Sequence, residues 1–288
     1  MNERVCVFGG ESHLVGVITE PAQSTARRPP AAVLLNAGII HRVGPNRLYV
    51  RLARALAAEG FLALRFDFSG IGDSAARRDT LPFRQSALRE VREAIDHLQH
   101  SEGAERFLLM GLCSGAILAR EMARLDARVQ GVVLMNHPPL ADGGDPTFRA
   151  ELSKRNLVRY YGKIASRSPH SWFKALTGKV QYARILEALG YGWDRIRSGM
   201  APSRIWTTRF GQALVELDAR AVRALFVYSD TEVISTNLDR MLKTAEHMGK
   251  PLRHVAQHTI PQADHNFTPL RSQDALLKVV CAWARDLL

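Results

Sequence analysis

Cysteine is scarce in this chain. Its 288 residues hold three, Cys6, Cys113 and Cys281, an odd number at wide spacing that makes neither a disulfide framework nor a zinc-ligand pattern. No metal and no organic cofactor is expected. Long apolar runs are also missing: nothing approaches the ~20 consecutive residues that cross a bilayer, so no membrane partner is expected. The opening segment MNERVCVFGGES carries Glu3 and lacks the apolar stretch of a secretory leader. A reduced, cytoplasmic setting is the expectation, and a reactive thiol needs one. No run of five or more like charges, internal repeat or low-complexity tract occurs, which argues against a charged tail or a repeat array. Basic residues interleave with aromatics only once, in RNLVRYYGK, too little for a nucleic-acid surface.

What is abundant is apolar and basic. The hydrophobic fraction of 46% can fill a sizeable core, and the net charge of +11 favours acidic partners. An acidic carrier protein or an anionic small substrate fits that charge better than nucleic acid does. The oligomeric state is not written in the sequence.

Along the chain, short apolar runs alternate with amphipathic ones. VCVF (5–8) and LVGVIT (14–19) flank the turn-rich GGES and predict a hairpin. Strands are predicted at 31–36, 61–67, 106–111, 131–136, 224–229 and 251–257. Helices are predicted at 46–60, 82–100, 116–125, 237–249 and 272–287. This order predicts an α/β fold with a mostly parallel central sheet and helices on both faces. The alternation breaks over 141–205, where ADGGDP, YY, SWF and Trp193 occur without a strand pattern. The expected organisation is a core domain of 1–140 and 206–288 carrying a helical cap insertion over 141–205.

The stretch GLCSG at 111–115 follows a strand pattern and precedes a helix pattern. A nucleophile on a sharp strand-to-helix turn needs small residues two before and two after it. Gly111 and Gly115 stand in that relation to Cys113; for Ser114 the flanking residues are Leu112 and Ala116, and Leu112 is too large. The register therefore selects Cys113. A thiol nucleophile needs a base, and the base an orienting carboxylate. His265, in QADHNFTP after the last predicted strand, is the candidate base; His254 and His258 sit in or beside that strand, and His97, His100 and His247 lie on helices. Glu232 is favoured as the acid, with Asp230 a close rival and Asp142 a remoter one. The oxyanion donors are expected from the backbone of Ser114 and from Gly38 or Ile39 in NAGII. His41, Arg42 and Arg47 are candidate contacts for an anionic substrate group. Trp172 and Trp193 are candidate cover for an acyl chain, although packing within the insertion explains them as well. RFDFSGIGDS (65–74) lacks one glycine of the dinucleotide fingerprint, so its Asp67, Gly70, Gly72 and Ser74 are expected to shape a loop.

LLNAG, RFDFSGIGDS, GLCSGA, FVYSDTE and ADHNFTP, in that order, resemble the α/β-hydrolase superfamily over nearly the whole chain. More narrowly, NAGIIHRVGPNRLYVRLARALAAEGF, RFDFSGIGDS and SWFKALTGKV are similar to bacterial hydrolases associated with exosortase gene clusters and related biosynthetic loci. Members of that group also carry cysteine at the elbow. The resemblance implies the α/β-hydrolase fold and a Cys-His-acid triad; Glu232 stands where aspartate is the usual acid. A cysteine elbow suits a thioesterase or acyltransferase in a biosynthetic pathway. Its substrate would be an acyl thioester on the phosphopantetheine arm of an acidic acyl carrier protein. Two alternatives remain: an ester or lactone hydrolase, since the elbow is also similar to that of dienelactone hydrolases, and a catalytically silent binding or scaffold protein.

Overall fold

A computed structural model describes residues 2–10, 13–21, 29–138, 209–230, 235–247, 249 and 251–288. The chain forms two compact units, Met1–Pro138 with Ala213–Leu288, and Pro139–Gln212. The helical insertion expected over 141–205, with Asp142, Trp172 and Trp193, lies outside the described residues, as does Glu232.

The first unit is built on eight strands: β1 (Glu3–Phe8), β2 (Leu14–Thr19), β3 (Ala31–Leu35), β4 (Ala63–Phe66), β5 (Phe107–Leu112), β6 (Val129–Met135), β7 (Arg223–Ser229) and β8 (Val255–Ile260). Their order across the sheet is β1-β2-β4-β3-β5-β6-β7-β8. The expected hairpin is present, with β1 antiparallel to β2 and Val5 opposite Val17. β2 pairs antiparallel with β4, and every pairing from β4 onward is parallel. Six helices are described: α1 (Leu48–Ala58), α2 (Phe83–Glu102), α3 (Ser114–Leu125), α4 (Arg209–Ala219), α5 (Ser235–His247) and α6 (Leu270–Arg285).

The central strands are apolar throughout because both faces are covered. Side chains alternate across a strand. Ala32, Leu34, Leu108, Met110, Val133, Leu225 and Val227 share one core with Leu52, Leu56, Leu276 and Val280 of α1 and α6. The intervening Val33, Leu109, Val132, Leu134 and Phe226 are fully buried on the other face, where α2 and α3 pack. The strand expected at 251–257 runs instead over 255–260, in register with β7 from Ala224↔Val255 to Ser229↔Ile260. With one neighbour among the described strands, β8 exposes Ala256, His258 and Thr259, so its sequence does not read as buried. The helix at 209–219 was not expected from the sequence.

Candidate active site

Parallel strands deliver their C-terminal ends to one edge of the sheet, and the candidate residues follow four adjacent strands. Cys113 follows β5, Asn136 β6, Asp230 β7 and His265 β8.

Cys113 sits at φ 55° and ψ −110° as the cap residue of α3. A side-chain-bearing residue rarely adopts this backbone, and the surroundings hold it there. Its N–H donates to the Met135 carbonyl at 2.9 Å. The glycines explain themselves in distances. A Cβ on Gly111 would lie 2.2 Å from the Gly115 carbonyl carbon, and one on Gly115 would lie 2.5 Å from the Leu35 carbonyl oxygen. Strand, turn and helix thus meet backbone to backbone, and only glycine fits at either position. The thiol is half-buried, whereas Cys6 and Cys281 are buried. Burial pushes both of those thiols up to about 11, and they act as small core side chains.

Tyr49 fixes the strand that carries the elbow. Its fully buried hydroxyl donates to the Leu35 carbonyl at 2.8 Å and accepts from the Leu112 N–H at 2.9 Å. One phenol thereby joins the ends of β3 and β5 immediately before Cys113. Burial raises this phenol above its ordinary range, so it stays neutral. On α1 an aromatic at this position looks like ordinary core, and no pattern in the sequence singles it out.

The loop after β3 is held from beneath. Asn36 donates to the Ile40 carbonyl at 2.8 Å and to Asp67 at 3.3 Å. The buried Asp67 carboxylate also accepts from the backbone and guanidinium of Arg42 and from the Asp73 N–H. A Cβ on Gly72 would lie 2.2 Å from an Asp67 oxygen. RFDFSGIGDS is therefore a loop wrapped around a carboxylate, as expected. Arg42 departs from its expected role: its guanidinium is engaged by Asp67 and Asp73, and those two carboxylates balance its charge. His41 and Arg47 remain exposed, and Ile39 is 91% exposed. The Gly38 N–H donates to the Ser114 hydroxyl at 2.7 Å, so the two expected oxyanion residues meet.

His265 is half-buried in the loop between β8 and α6. The neighbouring Asp264 shapes this loop by accepting from the Thr268 N–H at 2.7 Å. Burial pushes the Asp264 carboxyl up, but hydrogen bonds from Thr268 outweigh it and hold the group below its ordinary value. Other histidines have structural settings. His97 stacks on Phe8 at 4.8 Å, His254 meets Asp218 at 3.2 Å, and His100 and His247 bond carbonyls one helical turn back. His137 is fully buried, and burial together with the Arg120 charge pushes its imidazole well below the ordinary value. Asp230 is half-buried, and its N–H donates to the Ile260 carbonyl at 3.1 Å.

Asn136 was not anticipated. It is 1% exposed, with φ 44°, and its amide spans two loops. Oδ1 accepts from the Ser229 N–H at 2.8 Å, and Nδ2 donates to the His265 carbonyl at 2.8 Å. Its own N–H donates to the Val227 carbonyl at 2.8 Å. Because the preceding residue, Met135, accepts from Cys113, two hydrogen bonds through adjacent residues connect the backbones of Cys113 and His265. The described residues contain no group of three or more His, Cys, Asp or Glu side chains arranged to hold a metal.

Among protein families, the model of the alpha/beta hydrolase family matches residues 32–279, most of the chain and all the site residues named above. This chain belongs to the alpha/beta hydrolase family. Members of that family are generally hydrolytic enzymes. No curated protein matches this chain in sequence. Solved structures share its fold at low identity. A proline iminopeptidase from Mycobacterium smegmatis has a TM-score of 0.58 at 16% identity, covering 99% of this chain and 98% of the other. An esterase from Pyrococcus furiosus has 0.59 at 13%, covering 100% and 90%. An alpha-beta serine hydrolase homologue from Coxiella burnetii has 0.56 at 14%, covering 98% and 96%. No described helix is long and apolar enough to cross a membrane.

Proposed function

We propose that this hydrolase is a thioesterase or acyltransferase working through an acyl-cysteine at Cys113. The observation that carries the reading is the strained Cys113 backbone at the start of α3, enforced by Gly111 and Gly115. A fold keeps such strain where a side chain must be presented. His265 is the base. The acid is Glu232 or Asp230, both within the segment after β7.

A helix N-terminus and a neighbouring imidazole both favour the thiolate. The Cys113 sulfur attacks the carbonyl carbon of an acyl thioester, and the proton it loses rests on His265. The carbonyl electron pair moves to oxygen, which meets the N–H groups of Ser114 and Gly38. Collapse breaks the bond to the departing thiolate, which takes the proton from His265. A water, amine or alcohol then gives a proton to His265 and attacks the acyl-cysteine, and the Cys113 thiolate leaves. The net charge of +11 and the exposure of His41 and Arg47, after β3, support a donor carried by an acidic protein with a phosphate on its arm.

Intact-protein mass spectrometry after incubation with acyl thioesters tests this directly. The parent is expected to gain the acyl mass and Cys113→Ala to gain none. Retained loading in the variant overturns the assignment of Cys113. Turnover of simple esters or lactones without turnover of thioesters favours the ester-hydrolase alternative, and inertness toward both favours a binding protein. Glu232→Gln is expected to slow turnover more than Asp230→Asn; the reverse order moves the acid to Asp230.

A further inference from the structure

We infer that Asn136 is a positioning residue that sets the distance and orientation of His265 relative to Cys113. The inference rests on the proposed roles of those two residues.

The geometry of Asn136 is one that packing alone does not demand. A residue ending a buried strand usually turns outward. Asn136 instead takes a left-handed backbone and turns its amide inward, where both ends of the amide are used. An asparagine is suited to this: it offers one acceptor and one donor in a plane on a short stem, and it tolerates positive φ. Its acceptor holds the loop that begins at Ser229 and carries Asp230. Its donor holds the backbone of His265 itself, the residue that must meet the thiol. Its backbone neighbour Met135 holds Cys113. The nucleophile, base and acid segments therefore reference one dipeptide at the end of β6.

The consequence is specific. Loss of the amide leaves Cys113 on its own strained turn and releases the His265 loop, so the thiol loses its base before the fold loses its core. Asn136→Gly is the informative change, because glycine accepts φ 44° without strain and deletes both amide contacts. Asn136→Asp is the isosteric second variant: it keeps an acceptor for Ser229, but its carboxylate has no donor for the His265 carbonyl.

The readout is the rate of Cys113 alkylation by iodoacetamide from about pH 5 to about pH 9, with the modified peptide assigned by mass. The parent is expected to remain reactive below the ordinary thiol range. In Asn136→Gly the rate near pH 6 is expected to fall roughly tenfold or more, with reactivity rising only as a free thiol titrates. Asn136→Asp is expected to move the same way once its carboxyl is ionised, and it decides the matter where the glycine variant does not fold. A parent-like profile in the folded variants overturns the inference. His265→Gln separates the two levels. If it loses the low-pH reactivity while the Asn136 variants keep it, only the positioning role fails. If His265→Gln is itself parent-like, the pairing of Cys113 with His265 fails, and this inference fails with it.

Discussion

Ser114 shows how one hydroxyl can answer a question that its position raises. It stands next to the candidate nucleophile, yet its oxygen accepts the Gly38 N–H at 2.7 Å. That donor is one the developing oxyanion would use, so a bound carbonyl must displace the hydroxyl. Ser114→Ala removes the competitor. A neutral hydrogen bond contributes about 1 kcal/mol net, so KM for an acyl thioester is expected to fall about fivefold with kcat little changed. Steady-state kinetics checks this, and a fall in kcat at constant KM would show instead that the hydroxyl serves the transition state. The sharp turn around Cys113 was legible in the sequence because glycine spacing is a steric demand, and 2.2 Å at Gly111 is that demand in the structure. Asn136 was not legible: one asparagine after GVVLM has the same sequence signature as any turn. Its role exists only once β6, β7 and the His265 loop are adjacent.

Elements were legible where burial makes them periodic. Strands covered on both faces are continuous apolar runs, and those at the centre of the sheet were found within two residues of their ends. β8 was misplaced toward its N-terminus because an edge strand exposing His258 and Thr259 resembles a loop, while PLR before it has apolar character. Tyr49 belongs at this scale because it joins elements. Tyr49→Phe keeps the ring in the core but strips a partner from the Leu35 carbonyl and the Leu112 N–H, both buried. A loss of about 1–3 kcal/mol in stability is expected, measurable as a lower urea midpoint. An unchanged midpoint would mean that the two strand ends hold together without the phenol.

At the scale of the molecule, the far edge of the sheet is held by charge. Glu3 on β1 meets Arg54 of α1 and Arg65 of β4. The hydrogen bond from Arg54 lowers its carboxyl from an ordinary 4.5 to about 2, against the opposing push of burial and with further help from Arg65. A carboxyl depressed in the folded state stabilises above its unfolded value and loses that contribution as pH falls. The contribution of Glu3 is therefore whole above about pH 4.5 and fades toward pH 2. Melting temperatures of the parent and Glu3→Gln should differ near neutrality and converge across that window. A constant difference would assign the effect to packing.

Among the described strands β1 pairs only with β2, and it turns Val5 and Val7 outward at 68% and 58% exposure. The outer backbone edge of such a strand is a template on which another chain can add a strand. The carboxylate that anchors this edge loses its stabilising contribution as pH falls from about 4.5 toward 2, so acid in that window loosens a part of the molecule able to recruit a copy of itself. Turbidity growing across that window would thus begin at this edge, four strands away from β5. A purification that passes through about pH 2–4 would then lose protein as aggregate built strand on strand from β1.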